Sequence, residues 1–238
     1  MWIKICANTN LEDALRAAEA GADAVGYVFA SSPRQVTPGQ VATIAPELPP
    51  DVTQIGIFNT QDFDEIQFAL HTAGLHGVQL HGELDFQLAE RLRKAFDPSF
   101  FLIQSLHWSL DRDPAASERT LRDELRAIGR HRAADAVLVD TRTATSSGGT
   151  GKVFDWERAR DVLAAESGKV RIILAGGLTP ENVAEAIRAL RPWGVDVASG
   201  VESYPGRKEH VRLHAFIRAA RTAFAAIENV SPVTQNLG

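Results

Sequence analysis

Short apolar runs alternate along this chain with longer stretches in which apolar residues recur every three or four positions. The short runs predict strands at Trp2–Cys6, Ala24–Phe29, Thr53–Phe58, Gly77–Leu80, Phe100–Ser105, Ala136–Asp140, Val170–Leu174 and Val195–Ser199. The longer ones predict helices at Leu11–Ala20, Asp62–Ala73, Leu84–Phe96, Leu121–Arg130 and Pro180–Leu190. Repeated strand–helix alternation is the pattern of a parallel sheet with helical crossovers. Helix starts agree with it. Thr9 with Glu12 has capping-box spacing, and Thr37-Pro38 and Thr179-Pro180 each set a capping hydroxyl before a proline. The polar stretch His107–Ser117 reads as a surface loop before the fifth helix.

An internal echo bears on architecture. Gly21-Ala-Asp-Ala-Val-Gly26, Gly74-Leu-His-Gly-Val-Gln79, Ala133-Ala-Asp-Ala-Val-Leu138 and Gly194-Val-Asp-Val-Ala-Ser199 each enter an even-numbered strand, at intervals of 53, 59 and 61 residues. Each interval holds two strand–helix units, as in four quarters of one barrel. A closed eight-stranded (β/α)₈ barrel, the TIM-barrel form of the α/β class, is the expectation; a doubly wound open sheet is the alternative. No boundary divides the chain, so one domain is expected over residues 1–228, with a tail at 229–238.

Composition narrows the function. The 238 residues are 45% hydrophobic and 23% charged, with a net charge of −5 and a pI near 5.8. A mildly acidic protein is a poor general nucleic-acid binder, although a local basic site for a small anion remains open. The one cysteine, Cys6, forms no intramolecular disulfide, and no histidine or cysteine cluster has zinc spacing. The amino terminus is too polar for a signal peptide, and no apolar run is long enough to span a bilayer. The expectation is a cytoplasmic protein with neither metal nor cofactor.

In a closed barrel the active site lies at the carboxyl ends of the strands. Those ends carry Cys6, Arg34 in the loop Ala30–Arg34, Gln79 and His81, Asp140, Gly176-Gly177, and Ser199-Gly200. Glycine turns after the last two strands suit a phosphate, whose oxygens accept from backbone N–H groups; either pair taken alone also suits a tight turn. Lys4 shares a strand face with Cys6, and a neighbouring ammonium favours thiolate, so Cys6 is a candidate base. Its position at a strand end argues against a purely packing role. Asp140 closes an apolar strand where aspartate is unusual, which makes it a candidate acid or a loop anchor. An acid and a base on opposite sides of one mouth suit proton-transfer isomerisation. Arg34 is a candidate carboxylate partner, and His81 a substrate contact or a structural donor. The glycines of Thr141–Lys152 suggest a flap. Val153 after Lys152 breaks the P-loop pattern, which excludes that form of nucleotide binding.

These motifs together resemble the phosphoribosylanthranilate isomerase family. The resemblance rests on Lys4-Ile-Cys6; Gly21–Phe29 with Ser32-Pro-Arg34 and Thr37-Pro38; Val78–Gly82; Leu138-Val-Asp140 with Gly148–Lys152 and Phe154-Asp-Trp156; Leu174–Asn182; and Gly194–Glu202 with Pro205-Gly206. It spans roughly residues 2–218, in order. The resemblance implies an Amadori rearrangement of N-(5-phosphoribosyl)anthranilate to 1-(2-carboxyphenylamino)-1-deoxyribulose 5-phosphate, a step of tryptophan biosynthesis. It implies Cys6 as general base, Asp140 as general acid, and Arg34 on the anthranilate carboxylate. It places Gly176, Gly177, Ser199 and Gly200 on the phosphate. Gln79, His81 and Asp196 are further expected substrate contacts, although Asp23, in the same place of the echo, suggests a shared structural role for Asp196. The expected partner is a small phosphosugar, not nucleic acid or membrane; self-association, or association with other enzymes of the pathway, is left open.

Two features depart from the family pattern. Ala7 stands where glycine usually follows the cysteine, and the segment Leu106–Arg132 is longer than usual. Two other functions compete. Indole-glycerol-phosphate synthase would need catalytic lysines on several strand ends, and only Lys4 qualifies. A non-catalytic phosphosugar-binding barrel would be expected to lack Cys6 or Asp140, and both are present.

Overall fold

The computed structural model describes residues 1–109, 113–142, 156–166 and 168–228. Eight parallel strands close in sequence order: β1 (Trp2–Ile5), β2 (Ala24–Val28), β3 (Thr53–Phe58), β4 (Gly77–Leu80), β5 (Phe101–Ser109), β6 (Ala136–Arg142), β7 (Arg171–Ala175) and β8 (Gly194–Val197). Between them run α1 (Leu11–Glu19), α2 (Pro38–Ile44), α3 (Phe63–Ala73), α4 (Phe86–Ala95), α5 (Pro114–His131), α6 (Trp156–Glu166) and α7 (Val183–Leu190), and α8 (His210–Glu228) follows β8. The barrel is closed, and the open-sheet alternative falls. The flap Gly148–Lys152 and the tail 229–238 lie outside the described residues.

Strand residues divide between two apolar regions because successive side chains face opposite ways. On β6 and β7, Val137, Val139, Ile172 and Leu174 face outward and join the large cluster beneath the helices. Ala136, Leu138, Ile173 and Ala175 face inward and join Ile55 and Ile103 in a separate cluster that fills the barrel. The interior closes by setting small residues against large ones. A methyl at Gly77 would come within 2.3 Å of the Ile55 side chain, and one at Gly194 within 2.8 Å of the Trp2 carbonyl. Ala136, on another even-numbered strand, pairs with Ile103. Trp2, Phe101 and Trp193 pack against this cluster.

The sequence echo is partly structural. Asp23 accepts from the Ile3 N–H at 2.7 Å and Asp135 from the Leu102 N–H at 2.8 Å, so both tie an even strand to the one before it. Asp196 does not share that role. The chain enters β8 through Arg191, which holds the left-handed turn (φ 45°) that Gly21 and Gly74 hold elsewhere. The glycine in the β8 motif therefore comes three residues late, and Asp196 sits inside the barrel.

Several local expectations are corrected. His107–Ser117 is not a loop: β5 runs to Ser109, and α5 starts at Pro114, capped by Asp113, whose carboxylate accepts from the Ala116 N–H at 3.0 Å. Thr9 does not cap α1. Asn10 does, accepting from Asp13 N–H, while the Thr9 hydroxyl donates to the Gly206 carbonyl at 2.6 Å. At Thr37 the expected cap is present as a full capping box with Gln40. Thr179 caps only a turn, accepting from Glu181 N–H, and regular helix begins at Val183.

Candidate active site

β1 carries the first functional side chains. Lys4 and Cys6 face inward, where Gly26 of β2 makes room for both: a methyl there would lie 3.0 Å from Lys4 Cε and 3.2 Å from Cys6 Sγ. The Lys4 ammonium pairs with Asp196 across the β1–β8 register at 2.8 Å, both groups being buried. Burial works against the ammonium, but the charge of Asp196 and its hydrogen bond outweigh this and hold Lys4 above the usual ammonium range.

The Cys6 thiol lies beside Lys4, as expected, yet it is only 8% exposed. Burial pushes its pKa up, and the Asp196 charge adds to that; the ammoniums of Lys4 and Lys208 pull the other way without prevailing. Lys4 therefore favours the thiolate, as expected, but burial acts more strongly against it in the unliganded site. Desolvation of the anion outweighs a neighbouring cation that Asp196 already neutralises.

Ala7, next in the chain, takes φ 61° and is buried. This is the left-handed region that glycine occupies without cost. The backbone turns there as a glycine would turn it.

Asp140 stands at the far side of the mouth, on β6, near enough to act on the charge of Asp196. Across the β5–β6 register it faces His107. The His81 and His107 rings meet edge to face at 4.9 Å, and the donor atoms of His81, His107 and Asp140 all lie within 4.8 Å of one another. Among the described residues this is the one group whose donors could close on a metal ion; two imidazoles and a carboxylate are a set that divalent transition metals accept. The sequence pattern places His107 in a surface loop, whereas the structure places it on β5. The alternation Ile103, Ser105, His107 was the signal for it, since Gln79 reaches Ser105 Oγ at 3.1 Å and so marks that face as inward. Gln79 is buried, and its Oε1 has no protein partner among the described residues.

Arg34 is already engaged. Its Nε and Nη2 form a two-pronged pair with Glu202, at 3.0 and 2.7 Å. Glu202 also accepts from Lys208 Nζ at 3.2 Å, and Lys208 donates to the Cys6 carbonyl as well. Lys208 reaches that position because Glu202–Tyr204 (β9) and Arg207–Lys208 (β10) form a small antiparallel hairpin after β8. The Lys208 N–H is anchored on Asp13 at 2.9 Å. The motif reading stopped at Pro205-Gly206 and missed Lys208. A basic residue two positions past a turn has no signal of its own in one sequence.

The loops after β7 and β8 meet. Gly176 and Gly177 both take positive φ, 87° and 63°, and the space beside Gly177 is open. Ser199–Val201 forms a short 3₁₀ turn. A methyl on Gly200 would lie 1.9 Å from the Leu178 carbonyl oxygen, so only glycine lets the two loops pack. The four residues expected at a phosphate thus lie on two touching loops.

Comparison with known proteins points one way. Residues 3–219 match the family model described as N-(5'-phosphoribosyl)anthranilate isomerase. A relative of that name from Pelobacter propionicus is 42% identical over 222 residues, covering 92% of this chain and 95% of its own. The phosphoribosyl anthranilate isomerase of Thermotoga maritima superposes with a TM-score of 0.78 at 37% identity, over 93% of this chain and 99% of its own; a further structure of that enzyme describes it as dimeric. A structure of such an isomerase in complex with reduced 1-(o-carboxyphenylamino)-1-deoxyribulose 5-phosphate superposes at 0.74, with 34% identity and the same coverage.

Proposed function

The chain belongs to the N-(5'-phosphoribosyl)anthranilate isomerase family, and from that premise we propose that it catalyses the Amadori rearrangement of N-(5-phosphoribosyl)anthranilate by acid–base catalysis. The observation that carries the proposal is that Cys6, directly after β1, and Asp140, on β6, both stand at the carboxyl-end mouth of the closed barrel, with two glycine loops beside them. Proton transfers at oxygen and carbon need a positioned acid and base.

In this reading the substrate phosphate lies against the N–H groups of Gly176, Gly177, Ser199 and Gly200. Asp140 protonates the furanose ring oxygen; the C1–O bond breaks, and the anthranilate nitrogen's lone pair forms the iminium. The thiolate of Cys6 then takes the C2 proton, the electrons flowing to the iminium nitrogen to give an enolamine. Ketonisation with protonation at C1 yields the product. Because the thiol keeps its proton in the empty site, it releases that proton to solvent as the substrate binds, and the developing iminium supplies positive charge that lowers the cost of the thiolate. Arg34 holds the anthranilate carboxylate with the face not used by Glu202. Gln79 Oε1 and His81 accept sugar hydroxyls. Asp196 acts on Cys6 through Lys4, fixing the ammonium beside the thiol.

The test is consumption of phosphoribosylanthranilate generated in situ, followed by loss of its fluorescence. Turnover by the purified protein supports the proposal; none by folded protein that still binds the reduced product analogue contradicts it, and leaves a phosphosugar-binding barrel. Self-association, suggested by the dimeric Thermotoga maritima relative, is read from the sedimentation of the same preparation.

A further inference from the structure

Arg34 alone does not explain how the mouth attracts a carboxylate. Its guanidinium is joined by two hydrogen-bonding nitrogens to the buried carboxylate of Glu202. A close Arg–Glu pair has no net charge, and a second carboxylate approaching it meets repulsion from Glu202 as well as attraction from Arg34. Lys208 changes that balance. Its side chain is fully buried, its ammonium lies 3.2 Å from the same Glu202, and Cys6 presents a carbonyl oxygen to it. Arg34, Glu202 and Lys208 together carry one positive charge.

One further acid touches Lys208: the Asp13 carboxylate accepts the Lys208 backbone N–H at 2.9 Å and a hydrogen bond from Asn10 Nδ2 at 2.8 Å, and lies 3.7 Å from Arg207. Arg207 also pairs with Glu12 at 3.2 Å, and that pair is open to solvent, which screens it. Lys4 and Asp196 neutralise each other. Burial pulls the Lys208 ammonium below its usual range and the Arg34 charge adds to that, while the Glu202 charge and its hydrogen bond favour the proton. A charge held in this way is rigid and desolvated, so it acts on a ligand more strongly than a surface lysine would.

We propose that Lys208, through Glu202, is the specificity-determining residue that leaves Arg34 with an uncompensated charge for the substrate's carboxylate. It does not touch the substrate in this arrangement; it sets the charge of the residue that does. The inference rests on the reading of Arg34 as the carboxylate contact.

Charge arithmetic makes the idea separable from a structural role. Lys208→Met leaves the cluster neutral. Glu202→Gln leaves it at plus two. The double variant returns it to plus one. Affinity is measured for two ligands, reduced 1-(o-carboxyphenylamino)-1-deoxyribulose 5-phosphate and its analogue lacking the carboxylate. Thermal melting is recorded for every variant.

In the wild type the carboxylate ligand should bind more tightly. Lys208→Met should reduce its affinity by about tenfold or more, with little change for the analogue. Glu202→Gln/Lys208→Met should recover most of that loss, although it removes two buried hydrogen-bonding groups. A double variant as weak as Lys208→Met, or equal losses for both ligands, overturns the proposal and makes Lys208 a brace for the hairpin. If Lys208→Met does not fold, Glu202→Gln decides alone: tighter binding of the carboxylate ligand supports the charge role, and unchanged binding overturns it. Wild type that does not distinguish the ligands refutes instead the underlying assignment of Arg34.

Discussion

At the scale of single residues, Cys6 shows how burial and charge compete. Sequence alternation put Lys4 beside it and suggested a thiolate. The folded site gives Lys4 a carboxylate of its own, so its pull on the thiol is largely spent on Asp196. The folded-state pKa of Cys6 is raised, so the thiolate appears only at alkaline pH in the unliganded protein. The ultraviolet thiolate band, taken as the difference between wild type and Cys6→Ala, should appear with a midpoint above the usual thiol value of about 8.5. A midpoint below that value would show that the cations prevail.

Ala7 is the neighbouring case. The left-handed conformation costs a residue with a Cβ about 1–2 kcal/mol, and its buried methyl returns about 0.8 kcal/mol. Ala7→Gly should therefore raise the unfolding free energy measured in urea slightly, by less than about 1 kcal/mol. A clear loss of stability would mean that the methyl's packing against Cys6 and Ile57 matters more than the turn.

At the scale of elements, legibility followed the strength of local signals. The strands were readable because each is an apolar run between turns, and their alternation assigned Lys4 and Cys6 to one face correctly. Helix α8 was readable in principle, since Leu213, Phe216, Ile217, Ala220, Ala223 and Phe224 keep helical spacing; its many alanines and arginines blurred the contrast. The extension of β5 to Ser109 was hidden because His107 and Ser105 are polar residues on an inward face. They face the polar mouth of the barrel and not its apolar floor. Glu202 and Lys208 were invisible as a pair because their contact depends on a hairpin whose register no single residue specifies.

The loops after β7 and β8 carry a prediction at this scale. Gly200→Ala forces a methyl against the Leu178 carbonyl, and backbone cannot yield as a side-chain tip can. We expect a loss of about 1–3 kcal/mol in chemical denaturation, together with at least about tenfold weaker binding of the phosphate-bearing product analogue, equivalent to about 1.4 kcal/mol. Normal affinity in a folded variant would take the phosphate away from these loops.

At the scale of the whole molecule, the barrel brings together groups far apart in sequence. Closure places β8 beside β1, which is why Lys4 meets Asp196, 192 positions further along the chain, and why Lys208 reaches the carbonyl of Cys6. The inward small residues on even strands keep the floor packed, while the rim stays polar. Cys6, directly after β1, and Asp140, on β6, then stand on separate walls of one mouth. We propose Cys6 as the general base of this mouth and Asp140 as its general acid. The most direct test is single-turnover conversion of phosphoribosylanthranilate by wild type, Cys6→Ala and Asp140→Asn, each shown to be folded and to bind the reduced product analogue. Conversion should be rapid with wild type and slower by at least about a hundredfold in each variant, the range that removing a general acid or base costs. Near-wild-type conversion by either variant would contradict the role assigned to that residue.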